Sequence, residues 1–343
     1  MKKVIAALAV LLAVVAVAVV FVPKPGVERS QPAVYYWRTV FKLDSVERDF
    51  LAHHGVEKIY LRYFDVVVNP DGHVMPNATI QFADSVPAGV KVVPTVFIME
   101  NCLRHNLDSI APKLVKRVRQ ISETHGVPVI DELQIDCDWT ANSRADYYRF
   151  LTTVRQLLAE HGMKLSVTVR LHQLSMPAPP ADYGVLMVYN TGDIKKKGGG
   201  DPILNPDDVK PYLKYVGAYD LPLCAAYPCF GWDLLYRGDE FQAILYDAQF
   251  DDESLYAPAG DGKCVVVQDR DLPQFASPDA EVIFLHAGDS VLHRQPSADD
   301  ILAVRKALSH HRKTINNQVI IYSLDSKSLN NYNSSYYEKV FNN

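Results

Sequence analysis

From residue 33 onward the chain alternates between short runs with every second position apolar and longer stretches in which apolar residues recur every three or four positions. The first pattern predicts strands with one face buried, the second amphipathic helices. Strands are predicted at residues 33–41, 58–67, 90–98, around 133–140, 165–174, 183–190, 221–226 and 318–324. Between them, a helix starts near Asp44 or Ser45 and stops at Gly55, and another covers 109–124. A third runs from Ser143, with Asp146 as a variant capping box, to Gly162, with Tyr147, Phe150, Leu151, Val154, Leu157 and Leu158 as its buried stripe. Asn205-Pro206 opens a further helix, and Ser297 the last. Eight strands with intervening helices over residues 33–325 predict an α/β fold, a (β/α)₈ TIM barrel. A doubly wound sheet is the alternative, but no Gly-rich phosphate turn follows the first strand. The pattern loosens over about 233–296, read as an insertion after strand seven. Residues 326–343 are rich in Asn, Ser and Tyr and read as a polar, peripheral tail.

In such a barrel, chemistry belongs at the C-terminal ends of the strands. The run Gln134-Ile135-Asp136-Cys137-Asp138-Trp139-Thr140 brings two carboxylates there, and period-two alternation puts Asp136, Asp138 and Thr140 on one side. Two acids on one face of a buried strand are costly unless something binds or protonates there. Other strand ends offer Trp37, Arg62, Asp65, Arg170, His172, Tyr189, Asn190 and Trp232. Rings, carboxylates and guanidinium groups around one mouth suit a sugar: rings stack on its apolar faces and charged groups bond its hydroxyls. Plain structural roles compete. Asp136 could pair with Arg62 or Arg170 inside the barrel, Tyr189 could be a core tyrosine, and Trp37 and Trp232 could be packing residues. The Lys and Gly run at 195–200 reads as a solvated loop.

Asp136-Cys137-Asp138-Trp139-Thr140 resembles the strand-four motif of family 18 glycoside hydrolases, the chitinase-like barrels, which ends Asp-x-Asp-x-Glu. Met187-Val188-Tyr189-Asn190 is similar to that family's strand-six Met-x-Tyr-Asp. The resemblance implies a glycan as partner, Asp138 orienting a substrate acetamido group and Tyr189 bonding its oxygen. It also exposes two departures, since Thr140 stands where the family carries its acidic Glu and Asn190 where it carries Asp. A hydroxyl cannot protonate a glycosidic oxygen as a carboxylic acid can. Asp65, Glu100, Asp193, Asp233 and Asp325 lie near predicted strand ends as replacement acids. The expectation is an extracytoplasmic glycoside-hydrolase-like barrel with Asp138 and Asp136 as its catalytic carboxylates. A glycan-binding barrel without turnover and a cell-envelope interaction scaffold are the alternatives.

Composition narrows the setting. With 48% hydrophobic and 22% charged residues the chain is of ordinary globular type. A net charge of −5 with no basic block beyond residues 195–197 excludes nucleic acid as an expected partner. Lys2 and Lys3 precede an uninterrupted apolar run at residues 4–22. At about 1.5 Å per residue this roughly matches a hydrocarbon core of about 30 Å. Residues 1–24 therefore read as an N-terminal transmembrane signal anchor, followed by a linker at 25–32. That topology places the barrel on the periplasmic or cell-surface side; a cleaved signal peptide would make it secreted. Five cysteines, Cys102, Cys137, Cys224, Cys229 and Cys264, show no paired spacing. They predict free thiols, no zinc site and no cofactor.

Overall fold

The computed structural model describes residues 30–105, 107–127, 130–246, 248–260, 262–274 and 282–342. The expected anchor at 1–24 lies outside them; among the described residues no helix is long and apolar enough to cross a membrane. The expected linker ends earlier than predicted, because the first strand already begins at Gln31.

Eight parallel strands close into a barrel: Gln31–Tyr36, Lys58–Val68, Lys91–Ile98, Glu132–Asp136, Lys164–Arg170, Tyr183–Met187, Leu223–Pro228 and Gln318–Tyr322. Closure is made by the first strand, which pairs with both the second (Ala33 with Lys58) and the eighth (Ala33 with Ile320). Alternation sorts the side chains. Val34, Ile59, Leu133, Ile135, Val167, Leu186 and Ile321 point out against the helices, while Tyr35, Tyr60, Val93, Val185, Met187, Ala226 and Ile320 fill the interior. Cys137 lies in the outer layer and all five cysteines are free.

Strand four sends a polar column inward. Glu132 accepts from the Ser166 hydroxyl at 2.6 Å, and Gln134 accepts from the Tyr35 hydroxyl at 2.8 Å. Asp136 accepts from Thr168 at 2.6 Å. Each buried polar group thus has a partner inside the barrel, as burial demands.

The helices form the outer ring, with Ser45–His54, Ala111–Thr124, Arg144–Ala159 and Ala298–His311 the long ones among those preceding the C-terminal segment. Asp44 caps the first of these in a reciprocal box with Glu47, and Gly55 ends it in the left-handed region at φ 63°. The box expected at Ser143 and Asp146 does not form: the Ser143 hydroxyl takes the Thr140 amide at 3.0 Å, and Asp146 pairs with Arg149 at 2.9 Å. Leu157 lies at the edge of that helix's buried stripe, half exposed.

After strand seven the chain leaves the barrel. Trp232–Arg237, Glu240–Leu245, Tyr256–Pro258, Lys263–Val266 and Ser290–Arg294 form a five-stranded antiparallel sheet, with Arg270–Pro273 and Val282–Leu285 as a separate two-stranded ribbon. The loop at 195–200, expected to be simply solvated, is tied to this sheet. Lys197 reaches the carbonyl of Gly238, and the Tyr236 hydroxyl donates to the carbonyl of Ile194 at 2.6 Å.

The polar tail is a second correction. Ser326–Leu329 and Ser334–Asn342 are helices, and Tyr336, Tyr337, Val340 and Phe341 are buried against Phe50 and its neighbours. The tyrosines that made the segment look polar are packing groups here, with their hydroxyls bonded to the backbone carbonyls of Pro228 and Leu329.

Candidate functional site

Strand four ends at Asp136, so the alternation expected through Thr140 stops two residues earlier than the acids require. Asp136 is the more buried of the two acids, 3% exposed, and burial raises its pKa against the opposing pull of Arg170. Asp138 sits in the loop beyond the strand with its side chain 57% exposed. The two are joined from strand five: Arg170 reaches Asp136 through Nη2 at 3.3 Å and Asp138 through Nε. Burial works against the guanidinium's charge, and the two carboxylates more than offset it, holding the Arg170 pKa above its ordinary value. Arg170 Nη1 is buried without a partner among the described protein groups.

His172 borders this cluster from the turn beyond strand five; burial lowers its pKa, with Asp138 opposing and Arg170 reinforcing the shift. Strand five ends at Arg170, and His172 lies on the exposed side of the short turn Leu171–Ser175, so the two do not share a strand face. Trp139 faces away from the cluster. It is 1% exposed and turned outward among the helices, its ring 5.9 Å from Tyr147 and 5.4 Å from Tyr148. Thr140 is exposed and donates to the Glu100 carboxylate at 3.3 Å, Glu100 coming from the turn after strand three.

Aromatic rings continue from the charged cluster across the mouth. Tyr189 follows strand six, lies 4.8 Å from Tyr322 between ring centres, and donates its hydroxyl to Met187 Sδ at 3.0 Å. Tyr322 ends strand eight and also meets Tyr35 at 5.6 Å, Trp37 at 5.8 Å and Phe230 at 5.8 Å. Trp232 extends the series, 5.5 Å from Phe230. Trp37 and Trp232 are half-buried, so each leaves a face toward solvent. Arg62 stacks over Trp37 at 5.5 Å and holds Asp65 through both carboxylate oxygens. Asp65 thereby pairs within its own strand, and Asp136 pairs with Arg170 rather than Arg62. Asn190 is exposed in the left-handed region at φ 55°, a conformation that Asn tolerates at a turn.

Tyr322 is the ring that sequence reasoning did not single out. Tyr322 lies two residues beyond Ile320 and four beyond Gln318, so the inward register of strand eight carried the signal. A separate recess of about 580 Å³ lies at the opposite end of the barrel, lined among others by Lys58, Lys91, Glu132, Lys164 and Gln318. Its buried acid, Glu132, is already satisfied by Ser166 and by Lys58 at 3.5 Å.

No family model matches this chain, and no curated relative matches it. Solved structures similar to it are chitinase-like glycoside hydrolases. A chitinase from Chromobacterium violaceum is 13% identical with a TM-score of 0.52, covering 91% of this chain and 98% of that one. A class V chitinase from Pseudomonas fluorescens is 12% identical with a TM-score of 0.51, covering 91% and 98%. The spore cortex-lytic enzyme SleL of Bacillus megaterium is 12% identical with a TM-score of 0.51, covering 90% and 75%. Across nearly its whole described length, then, the chain has the closed eight-stranded barrel of these chitinase-like enzymes.

Proposed function

We propose that this barrel binds a glycan across its C-terminal mouth and acts on it as a glycoside hydrolase. The observation that carries the reading is the juxtaposition of an ion-paired carboxylate, Asp138, with a run of aromatic rings at the same barrel end. The rings of Trp37, Phe230 and Trp232 suit the apolar faces of successive sugar units. Tyr189, Asn190 and Arg62 with Asp65 supply hydrogen-bonding groups around them. Asp136 acts through Arg170: buried and bonded, it fixes the guanidinium that in turn holds Asp138. Asp138, exposed and held by Arg170, is placed to serve as nucleophile, base or electrostatic partner of a developing oxocarbenium ion. The names of similar structures, chitinases and a spore cortex-lytic enzyme, favour an amino-sugar polymer as substrate. The apolar run at 4–22 favours a membrane-anchored, extracytoplasmic setting.

A second reading, binding without turnover, is favoured by Thr140 at the position where the family resemblance leads one to look for an acid. The full chain should be assayed for binding and hydrolysis of chitin oligosaccharides and peptidoglycan fragments, beside Asp138→Asn. Hydrolysis that falls at least 100-fold in the variant with binding retained supports the proposal. Binding with no turnover in the parent chain selects the second reading. Absence of both binding and turnover removes glycans from consideration.

A further inference from the structure

Hydrolysing a glycosidic bond takes two carboxyl groups, one of which must give up a proton to the leaving oxygen. Most acids at this end of the barrel are committed elsewhere. Asp136 and Asp138 share Arg170, Asp65 is held by Arg62, and Asp233 bonds His293 at 2.8 Å. Asp325 caps the helix Ser326–Leu329 by accepting from the Ser328 amide at 3.1 Å. Asp193 takes the amide of Lys195 at 2.9 Å in its own turn. A carboxyl already engaged by a fixed cation, a histidine or a backbone amide is tied into a local contact and is less free to turn toward a leaving oxygen.

Glu100 differs from all of these. It opens the turn Glu100–Arg104 directly after strand three, on the strand neighbouring the one that leads to Asp138. It is half-buried, and among the described residues no cation lies within ion-pairing distance of it. Among the described residues its side-chain hydrogen bond is from the neutral hydroxyl of Thr140, two residues beyond Asp138, at 3.3 Å. The Thr140 hydroxyl also approaches Ser143 Oγ at 3.4 Å, and Ser143 in turn takes the Thr140 amide. The loop therefore holds the Glu100 carboxyl by a group that can serve either its protonated or its ionised form, donating to one and accepting from the other.

We infer that Glu100 is the proton donor of this site and that Thr140 is its positioning residue. The inference rests on the proposed hydrolase reading. Glu100 gives its carboxyl proton to the glycosidic oxygen as the bond from that oxygen to the anomeric carbon breaks, the electron pair leaving on the oxygen. Water adds to the anomeric carbon, and its released proton passes to a carboxylate, with Asp138 placed to receive it. Exchange with solvent restores both groups, so the sum is one water consumed and two hydroxyl ends formed.

The test compares full-length parent, Glu100→Gln and Thr140→Val on two kinds of probe. One is chitopentaose, whose leaving group needs a proton; the other is 2,4-dinitrophenyl N,N′-diacetylchitobioside, whose leaving group does not. Glu100→Gln should lose at least 100-fold in kcat on chitopentaose and less than 10-fold on the dinitrophenyl probe, with the alkaline limb of the pH profile gone. Thr140→Val should keep that limb but displace it, without a matching change in KM. Equal loss on both probes, or no loss on either, with unfolding midpoints unchanged, overturns the assignment while leaving the hydrolase reading standing. A parent chain that turns over neither probe overturns the hydrolase reading and the assignment with it.

Discussion

Arg170 stands between two carboxylates of very different exposure, and the two halves of that bridge differ in energy. Asp136 is almost wholly buried, so removing its cation strands a charge inside the barrel. Asp138 is more than half exposed, and water would screen its half of the pair. Arg170→Met should therefore destabilise the fold by about 3–5 kcal/mol, with Thr168 the remaining hydrogen-bond partner of Asp136 among the described residues. Asp138→Asn should cost under about 1 kcal/mol. Urea unfolding of the two variants decides this; equal losses would mean that the bridge is not organised around the buried acid. For the same reason Asp138 is the carboxylate left accessible to a ligand, whereas Asp136 works by keeping the guanidinium in place.

At the scale of elements, the C-terminal helix Ser334–Asn342 shows most about how the barrel is held. It packs Tyr337 and Phe341 on Phe50 and His54 of the first helix, at ring distances of 4.8 to 6.4 Å. It also receives Arg305 Nε at the carbonyl of Val340, 2.8 Å away. Ending the chain at residue 331 would remove four buried apolar groups, uncover the Phe50 ring they pack on and take the Val340 carbonyl from buried Arg305. At about 1.5–3 kcal/mol per large side chain, the loss should exceed about 4 kcal/mol and appear as a markedly lower unfolding midpoint. A midpoint unchanged by the deletion would make the helix peripheral after all.

His54 adds a pH dependence to the same contact. Burial, helped by neighbouring His53 and opposed by Glu338, lowers its pKa to about 4. An unfolded chain protonates the same ring near about 6.5, so it takes up the proton first as pH falls. The contribution is therefore fully present above about pH 6.5 and is lost between there and about pH 4, a decline of roughly 2–3 kcal/mol. His54→Phe should flatten that part of the pH–stability curve measured by urea unfolding; an unaltered slope would assign the decline to other groups.

These elements also show where sequence patterns carried the structure and where they stopped. Period-two alternation placed the eight strands within a few residues, because a barrel strand buries both faces in distinct layers. The first helix was legible at both ends, since a capping box and a left-handed Gly are local events. Ser143 was not, because its hydroxyl was taken by the preceding loop. Strand four broke off at Asp136 since pairing with its neighbours reaches only to that residue and to Ile135, which no single strand's sequence reveals. The tail failed for a different reason: Tyr336, Tyr337, Val340 and Phe341 do form an apolar stripe, but the Asn and Ser around them outweighed it. The candidate acids were legible as residue types, while their sorting into paired and unpaired needed cross-strand distances.

On the scale of the whole molecule, the barrel is asymmetric along its axis. One end carries the mouth, the insertion sheet and the rings; the other carries the recess lined by Glu132, Lys58 and Gln318. The first strand starts at the recessed end, where Ser30 donates its amide to the Phe341 carbonyl at 3.3 Å, so both described ends of the chain meet there. Anything attached ahead of residue 30 joins the barrel on the side away from the site. Were the apolar run at 4–22 to hold the chain as proposed, the molecule would stand like a cup with its opening turned away from the anchoring surface, and a long polymer would be met from the far side. The polymer such a cup could work on would then be one lying beyond that surface, at a distance set by the height of the barrel.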